Sequence, residues 1–175
     1  MARRRLRACV LILSLSCGEG ETERGTPVVV EETCPITDSP SFELGTGELS
    51  FEPMAEGSDL WMVQGIQGGC HFPVSVRTSG FAERRLEIAY RVLDGATLEE
   101  TLSRSSTRVR LSGIANSEVC EFVGMTAYLI EPWTLVDRSL VLEVTVTDDL
   151  GRARIERRRI VARGKPGTIC VTPPG

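Results

Sequence analysis

The chain has 175 residues, with 20 Lys and Arg against 24 Asp and Glu, one His, and a net charge of −4 at pH 7. That length suits one domain with its own core, and the acidic balance argues against nucleic acid or anionic lipid as an electrostatic partner. A single histidine also restricts the catalytic triads and metal sites that can be assembled.

Arg3, Arg4, Arg5 and Arg7 lead into the apolar run Ala8 to Leu15, and Ser16 stands before Cys17. A charged start, a short apolar stretch and a small residue make a secretion signal over residues 1–16. The run is far shorter than the about 20 residues of a membrane-spanning helix. A cysteine at this place resembles the processing site of bacterial lipoproteins, which implies cleavage before Cys17 and lipid on its thiol. Ser16 matches the small residue before the cut. Ser14 and Leu15 depart from the Leu-like and small residues usual three and two places before the cysteine. Gly18, in place of Asp, implies the outer membrane under the sorting rule of enteric bacteria. Removing residues 1–16 takes away four Arg and no acid, leaving a net charge of −8 over 159 residues. Lipid on Cys17, not charge, is therefore the expected link to a membrane.

Residues 17–33 read as a flexible, Gly- and Glu-rich tether, with a mean reach of about 20–25 Å. Residues 34–175 form the domain. Its four cysteines, Cys34, Cys70, Cys120 and Cys170, are separated by 36, 50 and 50 residues, with no Cys-x-x-Cys pair. In an exported domain that pattern reads as two disulfides rather than a metal site. Three connectivities are open; Cys70–Cys120 with Cys34–Cys170 is the expected one, the second pair stapling the chain ends.

Period-two alternation runs through the domain. Leu49 and Phe51 suggest a short early strand. Phe72, Val74 and Val76 alternate with Pro73, Ser75 and Arg77, which points Cys70 inward. Leu86, Ile88, Tyr90 and Val92 alternate with Arg85, Glu87, Ala89 and Arg91, and Val109 and Leu111 with Arg108 and Arg110. Leu140, Leu142, Val144 and Val146 complete the set, paired by an Asp148–Gly151 hairpin to a strand over 152–162. Phe122 to Ile130 is apolar at nearly every position and reads as a central strand covered on both faces, or one at an interface. A last strand is expected after Pro166-Gly167, carrying Cys170. Only Leu98 to Leu102 has helical character. The expected fold is an immunoglobulin-like antiparallel β-sandwich of 7–9 strands with two disulfides, with a small barrel as the alternative.

Within Phe42 to Arg77, the residues Gly45, Thr46, Gly47, Glu48, Phe51, Pro53, Gln67, Gly68, Gly69 and His71 carry a resemblance. The stretch resembles the opening of uncharacterised lipoproteins from myxobacteria and related bacteria, over about a fifth of the chain. The resemblance implies an exported β-sandwich and brings no activity with it. Those relatives are expected to have an aromatic where Cys70 stands, so this chain departs there.

Chemistry is sparse. Any triad would need His71, and no Gly-x-Ser-x-Gly elbow is present. Asp148 and Asp149, with Glu131 or Asp137, could hold calcium, although Asp favours such turns in any case. Gly164-Lys165-Pro166 lacks the spacing of a phosphate loop. Arg154, Arg157, Arg158, Arg159 and Arg163 form a basic strip. Arg154, Arg157 and Arg159 are candidate ligand-binding residues for an anionic glycan, lipopolysaccharide or an acidic partner, against a solvated edge strand as the plain reading. Trp61 and Trp133 could stack on carbohydrate but read first as core. The expectation is a non-enzymatic envelope lipoprotein, without cofactor or metal, that serves as a binding or structural module recognising a protein or glycan. The alternative is a calcium-dependent adhesion module or an enzyme centred on His71.

Overall fold

The computed structural model describes residues 34–81, 85–98, 101–114 and 117–172, all within the unit Glu31–Gly175. The signal segment, Cys17 and the tether lie outside the described residues. The strands are β1 (Ser41–Thr46), β2 (Glu52–Pro53), β3 (Ser58–Gln64), β4 (Cys70–Ser79), β5 (Leu86–Asp94), β6 (Thr101–Val109), β7 (Ser112–Gly113), β8 (Cys120–Tyr128), β9 (Ser139–Asp148) and β10 (Ala153–Gly164). A single 3-10 turn, Pro132–Thr134, lies between β8 and β9. The fold is all-β, as the alternation requires.

Pairing runs β2–β1–β4–β8–β7 on one side and β6–β5–β9–β10–β3 on the other. Strand β3 joins the two. Ser58–Met62 runs parallel to Ile160–Gly164 of β10, and Val63 and Gln64 then pair antiparallel with His71 and Cys70 of β4. Strand β1 pairs with β4 only as far as Val74. Phe72 and Pro73 therefore face a break between β1 and β3. A proline inside a strand is tolerated at such a place because no ladder partner needs its missing N–H. The Pro73 carbonyl accepts a hydrogen bond from Thr46 Oγ1 at 2.7 Å.

Both groups of strands feed one core. Leu86, Ile88 and Val92 of β5, Leu140, Leu142, Val144 and Val146 of β9, Phe72, Val74 and Val76 of β4, and Ile160 and Ala162 of β10 are all buried. Each Leu, Ile, Val or Phe side chain among them contributes about 1.5–3 kcal/mol through burial, so the alternating residues specify which face of each strand turns inward.

The apolar run Phe122 to Ile130 is not a strand covered on both faces. Val76 pairs with Phe122 and Val74 with Met125, so β8 carries an extra residue at Val123–Gly124. Gly124 has φ +76°, and a Cβ there would lie 3.1 Å from the Glu48 carbonyl oxygen. Its N–H donates to Ser75 Oγ at 3.1 Å. The bulge reverses the alternation. Before it the core-facing residues are Cys120 and Phe122; after it they are Met125, Ala127 and Leu129, while Tyr128 and Ile130 are 53% and 66% exposed.

Other local expectations are corrected. Leu49 is 97% exposed in the turn between β1 and β2, so the early strand is Ser41–Thr46 instead. Leu98 adopts φ +60° in a turn and Leu102 lies within β6, so neither of these described residues is helical. Cys170 sits in a turn after β10, not in a further strand.

The disulfides are Cys34–Cys120 and Cys70–Cys170, with Cα separations of 5.8 and 5.7 Å. The expected pairing fails on register. Cys120 lies opposite Thr78, eight residues along β4 from Cys70, or about 26 Å at the rise of a strand. Each bridge thus ties a different end of β4. Disulfides of this kind belong to an extracellular or periplasmic compartment, and no helix of the described residues is long and apolar enough to cross a membrane.

Candidate functional site: a cleft over the Cys70–Cys170 bridge

At the Cys70 end of β4, three loops meet around a cleft of about 670 Å³, within the range of small-molecule sites. One wall is the turn Gly68-Gly69 between β3 and β4. The second is the segment Leu129 to Trp133 after β8. The third is Gly167 to Thr172 after β10, tied to Cys70 by the disulfide from Cys170. Leu129, Pro132, Trp133 and Ile169 supply the apolar lining, and the hydroxyl-bearing Thr168 and Thr172 stand among them.

The middle wall has a definite local origin. Glu131 adopts left-handed backbone angles (φ +46°, ψ +55°), and Pro132 opens the 3-10 turn behind it. The Glu131 carbonyl accepts from the Thr134 N–H at 2.9 Å and the Thr134 hydroxyl at 2.8 Å. That conformation is unfavourable for a side chain other than glycine, so the turn is held by these bonds and the proline. The Glu131 carboxylate lines the cleft without an ion-pair partner among the described residues.

Neither tryptophan belongs to the core. Trp133 lines the cleft, and Trp61 is 53% exposed on β3 beside Arg163 of β10. Single-sequence reasoning missed the cleft because its walls are turns separated by up to a hundred residues. The one available signal was the cluster of Gly and Pro around Cys70, Pro132 and Cys170.

His71 pairs with Val63 and Tyr128 across the strands, and its ring meets Tyr128 edge-on at 6.2 Å between centroids. Burial lowers its pKa below the ordinary histidine value, partly offset by the charge of Glu48. Its Nδ1 is buried without a hydrogen-bond partner, so no carboxylate among the described residues orients the ring through Nδ1 as a triad requires.

The residues considered for calcium are dispersed. Asp148 accepts from the Leu150 and Arg152 amides and from Arg152 Nε at 2.9 Å. Asp137 pairs with Arg163 beyond the opposite end of β9, about 30 Å away at the rise of a strand. No group of three or more His, Cys, Asp or Glu side chains among the described residues is arranged to share a metal ion.

The basic strip divides between the faces of β10. Arg154 donates to the Pro40 carbonyl, Arg158 to Met54 and Glu156, Arg159 to the Gly95 carbonyl, and Arg163 to Asp59 and Asp137. Arg157 joins a set that the sequence did not suggest. Arg157 and Arg91 both donate to Glu143, at 2.7 Å from each Nε. Glu143 is only 5% exposed. Burial pushes its pKa up, but the hydrogen bonds and charges of Arg157 and Arg91 outweigh this and hold it below the ordinary glutamate value.

No protein-family model and no curated protein matches this chain.

Proposed function

We propose that this chain is a lipid-anchored module of the bacterial cell envelope, without catalysis of its own, that binds a protein or glycan in the cleft beside Trp133. The single observation that carries the reading is that cleft: an apolar hollow with an aromatic wall, two hydroxyl-bearing residues and an unpaired carboxylate. Export is supported by the two disulfides and by the signal-like segment, anchoring by the position of Cys17, and outer-membrane residence by Gly18. The strand orders β7–β8–β4–β1 and β3–β10–β9–β5–β6 support the immunoglobulin-like form of the sandwich, with its antiparallel sheets and a strand that changes sheet.

Two measurements test this. Intact mass of the protein from native membranes is expected to correspond to residues 17–175 plus lipid, with alkylation of the later cysteines only after reduction. Titration of the protein with a panel of oligosaccharides and envelope proteins, followed by tryptophan fluorescence, is expected to give a response lost in Trp133→Ala and kept in Trp61→Ala. An unlipidated mass removes the anchor from the reading. A binding response indifferent to Trp133 removes the cleft.

A further inference from the structure

The outer face of β6, β5, β9 and β10 carries a row of charge set by strand register. Arg104 lies directly opposite Arg91, Arg91 opposite Glu143, and Glu143 opposite Arg157. Three guanidinium groups and one carboxylate therefore share a line across four strands, for a net charge of +2 on a chain that is acidic as a whole. Glu143 lies beneath Arg91 and Arg157 and fixes both, while those side chains stay 47% and 60% exposed. A guanidinium has five N–H donors, and one shared carboxylate cannot use them all. The outward edges of both groups are thus oriented and free to donate.

Arg104 is exposed and has no hydrogen bond or ion pair with any described residue. Like charges directly opposite each other on paired strands are destabilising, so placing Arg104 beside Arg91 costs the fold stability without an internal return. An external anion between them would offset that cost. The next row on the same face is Ser106, Ala89, Thr145 and Ile155, the last 59% exposed at the β10 end. Ser106, Ala89 and Thr145 leave a flat, hydroxyl-bearing floor beside the guanidinium row, bounded by the apolar Ile155.

From this geometry we infer that the Arg104–Arg91–Arg157 row is a second binding site, for a short anionic oligosaccharide whose acidic groups sit on the guanidinium edges. Charge complementarity selects an anion, and paired N–H donors suit a carboxylate or phosphate oxygen pair. Between β6 and β10 the face presents no aromatic side chain, whereas the fully buried centre of a protein interface is enriched in them. The small-residue floor instead suits a sugar ring lying against the sheet. The site is independent of the Trp133 cleft.

The test uses trigalacturonate as probe, with maltotriose, a triglutamate peptide and a short oligonucleotide as comparisons, measured by calorimetry on the full chain. Binding of trigalacturonate that weakens with added salt is expected, together with no binding of maltotriose. Arg104→Ala is expected to weaken it by about tenfold or more, with a melting temperature equal to or above the parent's. Arg104→Lys keeps the charge without the fork and is expected to recover only part of the affinity. Trp133→Ala is expected to bind the probe as the parent does. Absence of trigalacturonate binding at low salt, or unchanged binding in Arg104→Ala, overturns the site. Equal or tighter binding of triglutamate or the oligonucleotide overturns the assignment to a glycan.

Discussion

The cleft and the arginine row are built on opposite terms. The cleft is made from three turns at one end of the domain, held together by a covalent bond and lined mainly by apolar side chains and glycine, with two threonines and one carboxylate. The arginine row lies on four strands whose hydrogen-bonded register fixes every side chain, and its groups are charged throughout. The first depends on distant segments being stapled; the second depends on the pairing of neighbours. Perturbations should therefore separate them.

The largest separation is expected from removing the bridge between the cleft walls. Cys70→Ser with Cys170→Ser should cost about 2–5 kcal/mol of stability and abolish binding in the cleft, while trigalacturonate binding survives below the new melting temperature. Calorimetric unfolding and the two titrations check this together. Loss of both sites in the folded variant would show that the row also depends on the staple.

Glu143→Gln acts on the other region. It removes the buried carboxylate under two arginines and should cost about 1–3 kcal/mol in urea unfolding, with the cleft unchanged. The same residue sets a pH dependence. Its folded pKa lies below the ordinary glutamate value that the unfolded chain takes. The stability it contributes is therefore complete above that unfolded value and is lost as pH falls through the folded one. A urea series at descending pH should show a steeper loss in the parent than in Glu143→Gln; parallel curves would remove Glu143 from the account.

Gly124→Ala tests the bulge, which belongs to neither site. A side chain at φ +76° facing a backbone oxygen should cost about 1–2 kcal/mol, with both binding responses kept. The smallest expected effect is Arg104→Ala, a rise in stability of no more than about 0.5 kcal/mol.

Much of the fold could be read from residues alone, because Leu86 to Val92 and Leu140 to Val146 repeat every second position and one face must be buried. The disulfide pairing could not, since it depends on Cys120 lying opposite Thr78 rather than opposite Cys70. Phe122 to Ile130 misled because a glycine bulge reverses a period-two pattern, and the two half-strands merge into one apolar run. The arginine strip on β10 was visible as composition. The pairing of Arg157 with Glu143, and of Arg91 with Arg104, requires knowing which strands are neighbours. That information is non-local, and no spacing within a single strand contains it.

The parallel pairing of β3 with β10 joins segments roughly a hundred residues apart. A chain crossing a membrane from its N-terminus would deliver β3 long before the strand that completes it. Until Ile160 to Gly164 arrive, Ser58 to Met62 keep an unpaired edge, a template for association with other chains. Contacts this distant in sequence also form slowly. The switch strand thus makes the arrival of β10, rather than the emergence of the first hairpins, the point at which the domain can close.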